Sequence, residues 1–379
     1  MKPPALYELI ESYRPKARFH MPSHNGEILS PMYASAPYDI TELSFSDNLA
    51  FPVGAIAQAE DAVAEAVGAK RSLFFTGGST SAIFTAIGVA KKRVSKFIIA
   101  GEVHRCVINA LELFSVDYEV DEDPENAEGL IVTSPDYYGN VKDIAELRRK
   151  NPNAVLIVDE AHGAHFAYSS LLPESAVKYA DFTAQSMHKT MPVYTGGALL
   201  HVNSEEDYRA ARETRAKLHT SSPSYLVMAS MDYARYLFEK NGEEYYRKIK
   251  EAVENVRLPE GFERVKNDDF SRLVVKVPPY ASGYAVARAA EEKGVFFEMA
   301  TSRLLAAIVT PFNYEKLSLL KDIEGKVAEE KDLSYLLGVT AENDIVLYPP
   351  GRVLVMKGER ITKEHIAIIN KERERIIGL

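Results

Sequence analysis

The chain has 379 residues, 46% hydrophobic and 26% charged, with a formal net charge of −9. That length supports a large core and two domains, and the acidic balance without a long Lys/Arg run argues against a nucleic-acid surface. No apolar stretch approaches the roughly 20 residues of a membrane span, the start lacks an apolar signal core, and the single cysteine, Cys106, excludes an internal disulfide or a cysteine-cluster metal site. A cytoplasmic enzyme with a small-molecule substrate, and with no nucleic-acid or membrane partner, is the expectation.

In chain order, residues 1–50 read as an arm. A short helix (Ala5 to Ser12) precedes the Pro/His/Gly-rich run RFHMPSHNGE. Such a segment buries little alone and should lie across another surface, with a second subunit one possibility. Residues 51–256 read as the large domain. Short apolar runs there include Leu73-Phe74-Phe75, Phe97 to Ala100, Leu130-Ile131-Val132, Val155 to Val158, Phe182-Thr183-Ala184 and Ala198 to Val202. Helical patterns fall between several of them, at Ser81 to Arg93, Cys106 to Phe114 and Val141 to Lys150. That alternation predicts an α/β fold with a mostly parallel sheet covered on both faces, whose ligands sit at the carboxyl ends of the strands. From about 206 to 256 the pattern suits a long connecting helix. Residues 257–379 read as a small α+β domain. Its expected strands are Arg272 to Val277, Val295 to Met299, Leu304 to Val309 and Val353 to Met356. Its expected helices are Gly283 to Lys293, one around Lys316 to Leu337, and a terminal one.

Chemistry concentrates in two segments, VDEAHG (Val158 to Gly163) and QSMHKT (Gln185 to Thr190). Each ends an apolar strand, one in Asp159 and the other in Ser186, His188 and Lys189. An acid and a lysine at neighbouring strand ends are what a pyridoxal-phosphate enzyme needs: the lysine holds the cofactor aldehyde covalently, and the acid keeps the pyridine nitrogen protonated. Asp159 could instead cap a helix, and Lys189 could be an ordinary surface lysine. The run FFTGGSTSAIF (Phe74 to Phe84) reads as strand, Gly-rich turn and helix. Its N–H groups and the hydroxyls of Ser79, Thr80 and Ser81 form an anion cradle for a phosphate monoester, to which Ser186 could add. It is no Walker loop, since no Gly-Lys-Ser/Thr follows. His104 follows a strand and could stack on a flat ring, or be a hydrogen-bonded loop histidine. His162 and His165 lie three apart, but no third ligand at sensible spacing supports a metal. Cys106 reads as a small core residue. LHTSSPSY (Leu218 to Tyr225) reads as a turn, either capping a helix with Ser222 or Ser224 or offering a phosphate contact to a neighbouring subunit.

The motifs FHMPSHNG, DITELSFSDNLAFPVG, FFTGGSTS, TSPDYYGNVKDI, VDEAHGAHF, QSMHKT, LHTSSPSY and YPPGRVLVMKGE run nearly end to end. Through them the chain resembles the ornithine/lysine/arginine decarboxylases, fold-type I pyridoxal-phosphate enzymes, and among these the shorter members without an N-terminal wing domain. The resemblance implies a seven-stranded sheet with a small C-terminal α+β domain, pyridoxal 5'-phosphate as cofactor, and a homodimer or higher oligomer with shared sites. It implies that Lys189 carries the cofactor, Asp159 binds the pyridine nitrogen, Ala161 packs under the ring and His104 stacks on its other face. Gly78, Ser79, Thr80, Ser186 and His188 would hold the phosphate, Thr220 would reach the partner's phosphate, and Glu298 would lie near the substrate side chain. The implied reaction is decarboxylation of L-arginine, L-lysine or L-ornithine to the corresponding polyamine-type amine, with His188 or Lys189 returning a proton to Cα. The chain departs from the family pattern at Ser23 and Asn25, at Gly77-Gly78, around His104, and at Gly196 after Thr195. An aminotransferase or lyase, with Arg303 or Arg352 as a carboxylate clamp, or a non-catalytic cofactor-binding protein, are the alternatives.

Overall fold

The apolar runs of the first 205 residues assemble into one seven-stranded sheet. The computed structural model describes residues 1–327, 334–347, 352–372 and 376–378. It divides into two units. The first comprises Met1–Gly101, Cys106–Pro135 and Val141–Glu243, and the second Glu102–Arg105, Asp136–Asn140 and Glu244–Leu379.

The first unit opens with helices α1 (Ala5–Ser12) and α2 (Ala55–Val67). Then follow β1 (Arg71–Phe75), α3 (Gly78–Ala90), β2 (Lys96–Ala100), α4 (Arg105–Leu113), β3 (Asp117–Val120), β4 (Gly129–Thr133), α5 (Ile144–Lys150) and β5 (Val155–Asp159). The unit continues with β6 (Phe182–Gln185), α6 (Met187–Thr190), β7 (Ala198–Val202), α7 (Glu205–Leu218) and α8 (Tyr225–Glu254). The division between the units falls inside α8. The strand order is β1-β7-β6-β5-β4-β2-β3, with β2 to β6 parallel and β7 antiparallel to both its neighbours. This is the mostly parallel sheet of a fold-type I enzyme. Strands β4 to β7 are buried along nearly their whole length, which is why they read as unbroken apolar runs rather than alternating ones. On one face Leu156 and Val158 pack with Ile144, Leu147, Ala176 and Ala180, while α3 lies against β1, β5, β6 and β7.

Two elements of this unit escape the sequence reading. Strand β3 is an exposed edge whose sequence, DYEV, has no apolar run. Helix α2 is Ala/Glu-rich, and its start is fixed by Asp47, whose Oδ2 accepts from the N–H groups of Gly54, Ile56 and Ala57 at 2.8, 3.0 and 3.3 Å. The single connecting helix expected over 206–256 is two helices, because the His219–Ser224 turn, with Pro223, interrupts it. Helix α1 is held by Asp232, which accepts from the N–H of Leu6 at 2.9 Å, and by the buried Arg235, which donates to the Lys2 carbonyl at 2.7 Å.

The second unit holds β8 (Glu263–Val265), β9 (Arg272–Lys276), α9 (Gly283–Glu291), β10 (Met299–Ala300), β11 (Leu304–Ile308), β12 (Ile345–Leu347), β13 (Arg352–Val355), α10 (Lys363–Glu372) and β14 (Ile376–Ile377). They form an antiparallel sheet β10-β11-β9-β8 and a three-stranded sheet β13-β12-β14. The strand expected over Val295 to Met299 is only Met299–Ala300, because the chain leaving α9 stays irregular through Glu298. The helix expected around Lys316 to Leu337 is a 3₁₀ segment, Tyr314–Asp322, and residues 323–327 are not helical. The Tyr348 to Gly351 run and the Arg352 side chain lie outside the described residues. Among the described residues, no helix is long and apolar enough to cross a membrane.

Candidate active site

Strands β1, β5 and β6 run in one sense, so the turns that follow them leave from the same edge of the sheet. After β1 the chain passes Thr76 and Gly77 and enters α3 at Gly78. Gly78 has φ +75°, and a Cβ there would stand in open space. Its N–H donates to the Gly196 carbonyl at 2.8 Å, tying this turn to the loop beyond α6. Gly196 is at φ +99°, where a Cβ would meet the Thr76 carbonyl oxygen at 2.6 Å, so only glycine suits this crossing. Helix α3 starts without a side-chain cap. The N–H groups of its first turn, with the Ser79 and Thr80 side chains, are therefore a concave, uncapped anion cradle.

At the end of β5, Asp159 is 3% exposed, and its Oδ1 accepts the Ala161 N–H at 3.2 Å. Ala161 is buried, and its carbonyl accepts the Ser186 N–H at 3.3 Å, which joins the two strand-end turns. Lys189 lies in the single turn of α6, and its Nζ shares a 3.1 Å hydrogen bond with His162 Nε2. Cys106, at the start of α4, hydrogen-bonds the Thr80 side chain and feels the charges of both Asp159 and Lys189. Burial, and then the Asp159 charge, push the Cys106 thiol up to about 12. Thr80 hydrogen-bonds this buried thiol, and the charges of Asp159 and Lys189 both act on it.

His188 has its Nδ1 3.0 Å from the Gly197 carbonyl, so Nδ1 carries the proton and Nε2 remains for other work. Thr220 is exposed in the turn between α7 and α8. Its neighbour His219 accepts the Thr76 N–H on Nε2 at 3.0 Å, and burial lowers its pKa. The neutral ring therefore anchors the Thr220 turn to the strand that leads into the cradle.

In the second unit His104 is half-buried just before α4. Glu298 is exposed, with Oε1 accepting from the Tyr137 hydroxyl at 3.0 Å, and its charge reaches the buried Arg272. Arg303 donates to the carbonyls of Val277, Pro278, Pro279 and Ala281 at 2.9–3.1 Å. Its guanidinium is committed to backbone, so it does not serve as a carboxylate clamp. Two neighbours of the site were missed in sequence. His162 is a partner of Lys189, while His165 lies against Phe166 with the two rings tilted. His219 went unweighted beside Thr220. The signal for both was position, each lying inside a motif already singled out.

An uncapped phosphate cradle, a buried acid and a lysine amine brought together at the carboxyl edge of this sheet fit pyridoxal phosphate, and with the fold they define a fold-type I pyridoxal-phosphate enzyme. The sequence model for the Orn/Lys/Arg decarboxylase major domain matches residues 114–278. The chain is 26% identical to the uncharacterised Bacillus subtilis protein YaaO, over 98% of this chain and 94% of YaaO. It is 31% identical to an arginine decarboxylase of Halalkalibacterium halodurans, over 59% of this chain and 53% of that one. It shares its fold with the Francisella novicida lysine decarboxylase, with a TM-score of 0.75 at 15% identity over 97% of this chain and 76% of that one. Over residues 114–278 the chain is thus similar to the Orn/Lys/Arg decarboxylases, and it is similar to arginine decarboxylases among its relatives. Family and fold both imply pyridoxal phosphate as its cofactor.

Proposed function

We propose that the protein decarboxylates a basic L-amino acid, with L-arginine the first candidate. The observation that carries this reading is the joining of the strand-end turns, Ala161 to Ser186 and Gly78 to Gly196 through backbone bonds, with Lys189 Nζ 3.1 Å from His162. The arginine decarboxylases among its relatives point to the substrate class. When bound, pyridoxal phosphate supplies an electron sink for the pair released as CO2 leaves. The α3 turn and Ser186 hold the phosphate, and Asp159 holds the proton on the pyridine nitrogen. Lys189 bears the cofactor at rest, with His162 hydrogen-bonded to its amine. His104 covers the ring. The Cα–carboxylate bond breaks, and a Cα–H bond forms with a proton from Lys189, or from His188 if Nε2 carries one as well as Nδ1. Glu298, steadied by Tyr137, pairs with the cationic end of the substrate side chain.

The test is a panel. The cofactor-loaded protein is given L-arginine, L-lysine and L-ornithine separately, and CO2 with agmatine, cadaverine or putrescine is read by mass spectrometry. One strong product is expected, and none after Lys189→Ala. No product from any of the three by the wild type, or an active Lys189→Ala, would overturn the reading. The homodimer is proposed on the same footing. The arm leaves Phe19 99% and Met32 91% exposed, and Val53 just beyond it is 89% exposed, an apolar surface that a second copy would cover.

A further inference from the structure

One face of the large sheet carries a run of buried polar residues that the reaction does not touch. Ser72 of β1 and His201 of β7 are directly paired across the strands, and their side chains meet at 2.7 Å. His201 Nε2 lies 2.9 Å from Gln185 Oε1 at the end of β6. Gln185 Nε2 donates to Glu160 Oε2 at 2.6 Å. Glu160 follows Asp159 directly, and it also accepts from the Ser175 hydroxyl at 2.6 Å and the Ala176 N–H at 2.7 Å. Glu160, Gln185, His201 and Ser72 are each 2% exposed or less. A polar chain this deep is tolerated only when every member is satisfied.

Its direction follows from its end. The Glu160 carboxylate takes three donors, so Gln185 must aim its amide N–H at Glu160 and its carbonyl at His201. His201 must then donate from Nε2 and accept from the Ser72 hydroxyl on Nδ1. Successive residues of a strand point to opposite faces. Glu160 therefore looks away from Asp159, toward the side where Val158 packs with Ala176 and Ala180. Gln185 is the last residue before the turn that carries Ser186, His188 and Lys189.

We propose that Glu160, Gln185 and His201 are positioning residues. Their chain clamps the ends of β5 and β6 from behind, and so fixes the separation of Asp159 from Lys189. The inference rests on the roles given above to those two residues. Glu160→Gln sets an amide N–H against either the Gln185 amide or the Ala176 N–H. Gln185→Glu sets two carboxyl groups face to face. The exchange Glu160→Gln with Gln185→Glu restores the bonds to Ala176, between the strand ends and to His201, and reverses only the one with Ser175. The amide now on β5's end accepts from Ala176 and donates across to the carboxylate now on β6, which still accepts from His201.

The experiment uses the full chain loaded with pyridoxal phosphate. Each single variant is expected to weaken cofactor binding at least about tenfold and to lower kcat/KM by about 100-fold. The double exchange is expected to recover most of both. 15N NMR at about pH 8, with His201 assigned through His201→Gln, is expected to show the neutral Nε2–H form in the wild type and in the double variant. A double variant no better than the worse single, or wild-type His201 protonated on Nδ1, would overturn the inference. The wild-type spectrum decides even where a single variant does not fold. The spectrum and the cofactor-affinity rescue need no substrate, so they stand apart from failure of the decarboxylase reading.

Discussion

Glu160 and His162 both follow Asp159 within one four-residue stretch, and they do different things. His162 meets Lys189, so its ring holds that amine in place. His162→Phe keeps the bulk of the ring and removes the nitrogen. The expected loss in kcat is roughly 10²–10⁴-fold; an unchanged kcat would assign His162 to packing. Glu160 is buried, and desolvation, opposed by its three donors, raises its pKa to about 7 from 4.5. Between those values the folded state binds more protons than the unfolded one, so stability falls as pH rises from about 4.5 to about 7 and levels off above. The span is on the order of 3 kcal/mol. Urea unfolding near pH 5 and near pH 8 should show this share of the slope in the wild type and lose it in Glu160→Gln. Cys106, with its thiol held up at about 12 and buried, should react with thiol reagents only on unfolding.

At the scale of elements, each predicted strand of the large sheet was legible, because burial on both faces leaves no polar position to interrupt the run. What interrupts a run is therefore informative: His201 in ALLHV and Gln185 after FTA mark the buried chain, which the sequence reading passed over. Strand β3 and helix α2 failed for the opposite reason. One has too few apolar residues to stand out, and the other takes its start from Asp47, seven residues ahead of its cap Gly54. Burial of charge also joins elements that sequence leaves unrelated. Arg215 on α7 meets Glu60 on α2 at 2.6 Å, both at most 2% exposed, and donates to the carbonyls of Phe74 and Leu49. Removing one partner strands the other in low dielectric, so Glu60→Ala should cost about 3–5 kcal/mol. Chemical denaturation measures it; a cost under about 1 kcal/mol would mean that Arg215 is satisfied by the carbonyls alone.

For the whole molecule, the strand-end segments stood out because residue type and spacing carry the meaning there. The Tyr137–Glu298 contact did not, since its partners lie 161 residues apart and no local pattern announces it. Assembly is the remaining scale. If Thr220 serves the partner's phosphate, each site needs two chains, and inactive chains should complement one another. Lys189→Ala lacks the lysine but can lend Thr220; Thr220→Glu keeps the lysine and spoils only the site it is lent to. In a hybrid of the two, one site is whole. Dissociating and reassembling equal amounts should therefore recover about a quarter of wild-type activity, half the dimers being hybrids with one working site of two. No recovery, with hybrids demonstrated by native mass spectrometry, would place Thr220 in its own chain's site or outside any site.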